Sequence, residues 1–133
     1  MATAPVVGQT AHMDRTVTEA MTADRLGNPG AKVYASPMLF GLLEEACIKC
    51  VASNLDPGQG TVGTSLNVQH LAPTPVGMTV TAKAELTEVD GRRLVFAVEA
   101  HDEKDQVAKG THERFILGSM EKFLAKAMEK VGS

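Results

Sequence analysis

Apolar residues recur at helical spacing in one long stretch of the chain. After Ser36-Pro37 the pattern predicts an amphipathic helix that runs to about Asn54. Serine is a preferred N-cap residue and proline suits the first helical turn, so these two residues should begin the helix. Residues 55–60, with one proline and two glycines, should end it. The core stripe consists of Leu39, Leu43, Ala46, Cys47 and Cys50.

The rest of the chain alternates apolar and polar residues as strands do. Residues 9–17 predict a first strand, and 18–32 form a polar, glycine-containing connection with room for one short helical turn. Further strands are expected near 62–71, 78–87, 94–100 and 106–117. Asp90-Gly91 is a strong hairpin signal. Ser119 should cap a short amphipathic helix whose apolar side carries Met120, Phe123, Leu124 and Met128.

One long helix against a curved antiparallel sheet is an α+β, two-layer arrangement. The length of 133 residues suits a single domain over 1–133, with residues 1–8 frayed. A single helix leaves sheet edges and one sheet face poorly covered, so we expect a homodimer or a higher homo-oligomer.

Composition excludes several classes of partner. The net charge of −3 gives no basic surface for nucleic acid, and no apolar run approaches the ~20 residues of a membrane span. The N-terminus lacks the charged and apolar regions of a secretory signal, so a cytoplasmic location is expected. Cys47 and Cys50 have C-x-x-C spacing, but both lie on the core stripe and no second ligand pair exists, which favours packing over zinc or redox chemistry. No metal or cofactor is predicted.

Two adjacent glutamates in the helix have different surroundings. Glu45 precedes Lys49 by four residues, the favourable order for an exposed ion pair. Glu44 lies at the edge of the apolar stripe, where a carboxylate is costly to bury without a partner. It either extends to water or has a functional role, and its position alone leaves both open.

The element order and several short motifs resemble those of hotdog-fold acyl-CoA thioesterases, in particular the fluoroacetyl-CoA thioesterase family. The resemblance covers about residues 33–130 and implies the hotdog fold, in which a curved sheet wraps one central helix. The motifs that carry it include Gly41-Leu42-Leu43-Glu44, Val68-Gln69-His70 and Gly110-Thr111-His112-Glu113-Arg114.

The resemblance also implies a site. By position, the catalytic set is Ser36, Glu44 and His70, with Gly63, Phe40 and Arg114 as substrate-binding residues. The Gly63 backbone N–H would help to hold the thioester carbonyl, and Glu44 in a partly apolar pocket would act as base or nucleophile, since desolvation favours a basic carboxylate.

Each assignment has a structural alternative from the residues alone. Ser36 could serve only as an N-cap, and His70 could be a core or interface residue. His112 and Arg114 could be exposed strand residues or a structural ion pair with a neighbouring carboxylate.

The implied activity is hydrolysis of a small acyl-CoA to a carboxylate and free CoA. The fluoroacetyl-specific member has a longer, phenylalanine-bearing lid before the helix, whereas residues 18–32 are shorter and contain no phenylalanine. The resemblance therefore does not extend to fluoroacetyl specificity. Two alternatives remain: a hotdog enoyl-CoA hydratase or dehydratase, although the histidine expected after Asn28-Pro29 is absent, and a non-catalytic acyl-CoA-binding module.

Overall fold

A computed structural model describes residues 2–132 as a five-stranded antiparallel sheet curved around one long helix. In chain order the elements are β1 (Thr10–Thr16), α1 (Ser36–Val51), β2 (Gly60–His70), β3 (Thr79–Asp90), β4 (Arg93–His101), β5 (Gln106–Leu117) and α2 (Met120–Gly132). Single 3-10 turns occupy Glu19–Met21, Ala23–Leu26 and Ala52–Asn54. The strand order across the sheet is β1-β3-β4-β5-β2. The predicted α+β arrangement is confirmed.

The core lies between α1 and the middle strands of the sheet. The predicted helix stripe is buried throughout, together with Leu42 and Val51. Opposite it, β3 contributes Ala82 and Ala84, whose small side chains let the helix approach the sheet closely. Burial raises the pKa of Cys47 to about 12, so its thiol stays protonated and unreactive, as the packing interpretation requires.

The turns and the second helix also follow the sequence pattern. Asp90 and Arg93 pair across the β3–β4 hairpin, and Gly91 has a φ of 60°, a conformation that favours glycine. The Ser119 hydroxyl accepts a 3.1 Å hydrogen bond from the Lys122 backbone N–H, which confirms it as the cap of α2.

Two predictions about α1 are wrong. Ser36 does not cap the helix: Ala35 is the N-cap residue, and the Ser36 hydroxyl bonds a side chain from β2 instead. Glu45 does not pair with Lys49, because β1 runs beside α1 and offers closer partners. Arg15 lies 2.8 Å from the Glu45 carboxylate, and the Lys49 ammonium donates to the His12 carbonyl at 3.0 Å.

The two outer strands of the sheet differ in how well they are covered. Within the part of the chain that the structure describes, β1 packs against α1, whereas β2 pairs only with β5, and its residues 64–67 are all exposed. β2 is therefore a long open edge with unpaired backbone groups on one side. Among residues 2–132, no helix has the length and apolar character needed to cross a membrane.

Candidate active site

The predicted site residues form two separate clusters along α1 and β2. Ser36 at the start of α1 meets His70 at the end of β2, and Glu44, further along α1, meets Gly63 near the start of β2. At a rise of about 1.5 Å per residue, Ser36 and Glu44 lie about 12 Å apart along the helix axis. Ser36 therefore does not orient the Glu44 carboxylate of its own chain.

The first cluster is a direct hydrogen bond between two side chains. The Ser36 hydroxyl lies 2.7 Å from Nδ1 of His70, and the Phe40 ring packs edge-on to the imidazole with ring centres 6.4 Å apart. Burial lowers the pKa of His70, although a backbone hydrogen bond with Ala72 opposes this. The imidazole is therefore neutral at pH 7 and can exchange a proton with Ser36.

The second cluster gives Glu44 a charged partner. Its Oε1 atom lies 3.5 Å from Nη1 of Arg114 and 3.5 Å from Nε2 of His112. The Glu44 side chain keeps 40% of its surface exposed, so the carboxylate is only partly removed from water. The carboxylate is stabilised by the guanidinium of β5 on one side and reaches solvent on the other.

Arg114 is held in place by Thr61 of β2. Its Nε donates to the Thr61 hydroxyl at 2.8 Å, and its Nη2 donates to the Thr61 carbonyl at 2.9 Å. These two bonds fix the planar guanidinium and leave Nη1 directed at Glu44. Burial lowers the pKa of Arg114, and the nearby Glu44 charge opposes that shift. Arginine remains charged at neutral pH in such a setting.

His112 is buried beneath this pair as a neutral ring. Its Nδ1 donates to the Ser65 carbonyl at 2.8 Å, which leaves Nε2 with a lone pair that accepts from Arg114 Nη1 at 3.2 Å. Burial lowers the pKa of His112, which favours the neutral form despite the opposing Ser65 carbonyl and Glu44 charge. Both residues are buried, so the prediction that they are exposed strand residues is wrong. The alternative of an ion pair with a carboxylate is confirmed for Arg114, which pairs with Glu44, but not for the neutral His112.

Gly63 provides the space that Glu44 occupies. A Cβ atom at this position would lie 2.9 Å from Glu44 Oε1 and 3.1 Å from His112 Cε1. The pairing of β2 with β5 shifts register between Gly63 and Ser65, which marks a local bulge at the same point. Glycine here lets the carboxylate pack directly on strand backbone.

Thr61 is the site residue that sequence reasoning missed, since a lone threonine on a strand carries no signal of its own. His112 and Arg114 were detectable as two polar residues on one face of a strand, between Gly110 and Ile116 on that face. The sequence did not indicate that this face points at Glu44.

Comparison with known proteins gives consistent matches over most of the chain. The family model described as fluoroacetyl-CoA-specific thioesterase matches residues 17–120. The fluoroacetyl-CoA thioesterase of Streptantibioticus cattleyicolor is 48% identical over 99 residues, which cover 74% of this chain and 70% of the relative.

Solved structures agree with the sequence matches. A threonine-to-serine variant of the fluoroacetyl-CoA thioesterase, in complex with acetyl-CoA, superposes with a TM-score of 0.89 at 42% identity, covering 94% of this chain and 98% of that one. A hot-dog-like protein from Thermanaerovibrio acidaminovorans gives a TM-score of 0.86 at 24% identity, covering 96% and 93%. The predicted hotdog fold is confirmed.

Proposed function

Because the chain belongs to the family of fluoroacetyl-CoA-specific thioesterases, we propose that it hydrolyses a small acyl-CoA thioester to a carboxylate and free CoA. The observation that carries the proposal is the Glu44 carboxylate, which is half-exposed and fixed on the central helix by a buried arginine. A carboxylate that is paired with a guanidinium and open to solvent can act on water or on a thioester carbonyl.

The Glu44 carboxylate removes a proton from water as the water oxygen attacks the thioester carbon. The carbon–sulfur bond then breaks, and the proton passes to the departing CoA sulfur, leaving the free acid and thiol. Alternatively, the Glu44 carboxylate attacks the thioester carbon and displaces the CoA thiolate, and water then hydrolyses the resulting mixed anhydride to give the same products. In both routes Arg114 fixes the position of the carboxylate, and the backbone N–H of Gly63 binds the carbonyl oxygen as negative charge develops on it.

We further propose that the site is completed in a homodimer formed through the open edge of β2. Two copies of a strand that pair antiparallel about a two-fold axis place the start of each beside the end of the other. Gly63 lies near the start of β2 and His70 at its end. The Glu44 cluster of one protomer would then face Ser36 and His70 of the partner subunit, which supply hydrogen bonds to the reacting group.

The connection before α1 supports an acyl-CoA thioesterase without fluoroacetyl selectivity. Its Glu19–Met21 and Ala23–Leu26 turns are short, contain no phenylalanine, and end in a tight turn at Gly27 with a φ of 100°. Nothing in this segment offers the aromatic cover that the resemblance associates with that selectivity. Acetyl-CoA and fluoroacetyl-CoA should therefore be turned over with similar efficiency.

A panel of saturated acyl-CoA esters from acetyl to octanoyl, plus fluoroacetyl-CoA, tests the proposal by thiol release. Turnover of at least one ester that depends on Glu44 is the expected result. Release of no thiol from any ester would contradict it. Saturable binding without turnover would indicate a binding module, and hydration of crotonyl-CoA would indicate a hydratase.

A further inference from the structure

An open groove of about 530 Å³ lies beside the Glu44 cluster, where α1 ends and β2 begins. This volume is within the range of about 300–1,000 Å³ typical of small-molecule sites. Its apolar wall consists of Ile48, Ala52, Leu55, Pro57, Gly60 and Met120. The proposed chemistry does not use these residues.

Two residues of the groove lie next to the Glu44 cluster. Ile48 follows Glu44 by one helical turn on the same face of α1, and its side chain is 45% exposed. Thr61, which holds Arg114 in place, also lines the groove. A group bound at Glu44 could therefore extend past Ile48 without leaving the protein surface.

The polar groups at the rim of the groove are already hydrogen bonded within the chain. The Asp56 carboxylate accepts from the Ala2 backbone N–H at 2.6 Å, and the Gln59 side-chain oxygen accepts from the Asp56 N–H at 2.8 Å. The Gly58 carbonyl accepts from the Met120 N–H at 2.9 Å. The groove thus suits an apolar occupant better than the amide-rich pantetheine arm of CoA, whose polar groups would need partners.

Met120 forms the outer wall of the groove. It is the first residue of α2, and its Cε methyl lies 2.5 Å from where a Gly60 Cβ would be, so the two residues pack as closely as glycine allows. Methionine is flexible and adapts to the shape of what it covers. It can therefore shift to accept acyl chains of different length.

We propose that this groove binds the acyl chain of the substrate, and that Met120 limits its length. The ligand class is a linear, saturated acyl group longer than acetyl, with its carbonyl at Glu44 and its tail along Ile48 towards Met120. This inference rests on the proposed function, and it names the substrate class of the same site.

The test compares kcat/KM for acetyl-CoA and hexanoyl-CoA in the unaltered protein and in Met120→Trp, which fills the groove. Excluding a few methylene groups should lower kcat/KM for hexanoyl-CoA by roughly tenfold or more. The value for acetyl-CoA should change by less than about twofold, because that acyl group does not reach Met120. Met128→Trp is the matched control, since Met128 lies on the same helix, is 62% exposed and does not line the groove.

Met120→Ala provides a second variant, which widens the groove and should raise the relative efficiency with octanoyl-CoA. Equal losses on acetyl-CoA and hexanoyl-CoA in Met120→Trp would overturn the inference and assign the groove to pantetheine. Unchanged profiles in both variants would also overturn it. If the unaltered protein hydrolyses no ester, the proposed function fails, and the inference about the groove is then tested by binding alone. Met120→Trp should weaken the binding of hexanoyl-CoA more than that of acetyl-CoA, and equal effects on the two would overturn the inference.

Discussion

The two halves of the site use different physical means to prepare a reacting group. Ser36 and His70 share a 2.7 Å hydrogen bond, and burial keeps the imidazole neutral. Glu44 makes longer, ionic contacts of 3.5 Å to Arg114 and remains partly in water. The first pair can pass or share a proton, whereas the second holds a fixed negative charge. The proposed hydrolysis uses both, yet one chain keeps them about 12 Å apart along α1.

The largest expected effect comes from removing the fixed charge. Glu44→Ala should lower kcat by about 100- to 10,000-fold, the range for loss of a general base, as measured by thiol release. Glu45→Ala is the control: the Glu45 carboxylate is 49% exposed and pairs with Arg15 at the surface, so turnover should stay within about twofold. Equal losses in the two variants would mean that the chemistry does not depend on the Glu44 cluster.

A smaller loss is expected when the charge is kept but its support is removed. Arg114→Lys retains a cation but cannot reproduce the two bonds to Thr61, so Glu44 is less well positioned. We expect kcat to fall by roughly tenfold with little change in KM, and the melting temperature to drop because Thr61 loses its donors. Unchanged kcat would show that Arg114 stabilises the fold without positioning the base.

Each cluster contains a buried histidine, so the stability of the fold should depend on pH. His70 and His112 both have a pKa below the ordinary value of 6.5 in the folded protein, because burial disfavours their charged forms. The unfolded chain therefore binds protons first as pH falls below about 6.5, and the folded state loses stability from there downwards. Above that pH both imidazoles are neutral in the folded and the unfolded chain, so this loss of stability is absent.

Unfolding in denaturant at a series of pH values from neutral to acidic measures this dependence. His70→Asn should make the loss of unfolding free energy below about pH 6.5 shallower, because one of the two buried imidazoles that resist protonation is gone. A variant with the same slope as the unaltered protein would show that His70 does not resist protonation in the folded state.

Local patterns in the sequence were sufficient for most of the fold. The stripe of α1, the Asp90-Gly91 hairpin and the last strand over 106–117 follow from periodicity and turn chemistry, and the structure has all three. Such signals depend on residues a few positions apart, so they can be recognised without knowledge of the tertiary arrangement.

The site was less predictable because its contacts join distant parts of the chain. Ser36 has the features of an N-cap residue, but an imidazole from the end of β2 competes for its hydroxyl. Glu45 has Lys49 at ideal spacing, but Arg15 of β1 is the partner it meets. The family resemblance supplied Ser36, Glu44 and His70 together, and only the structure showed that Arg114 joins Glu44 while His70 joins Ser36.

Subunit complementation tests most directly whether the two clusters act together across a dimer. Glu44→Ala and His70→Ala, each inactive alone, are unfolded together and refolded as a mixture. If each site combines clusters from two protomers, mixed dimers contain one intact site, and activity should return to about a quarter of the wild-type value under random pairing. No recovery, with mixed dimers verified by mass, would contradict a site shared between subunits.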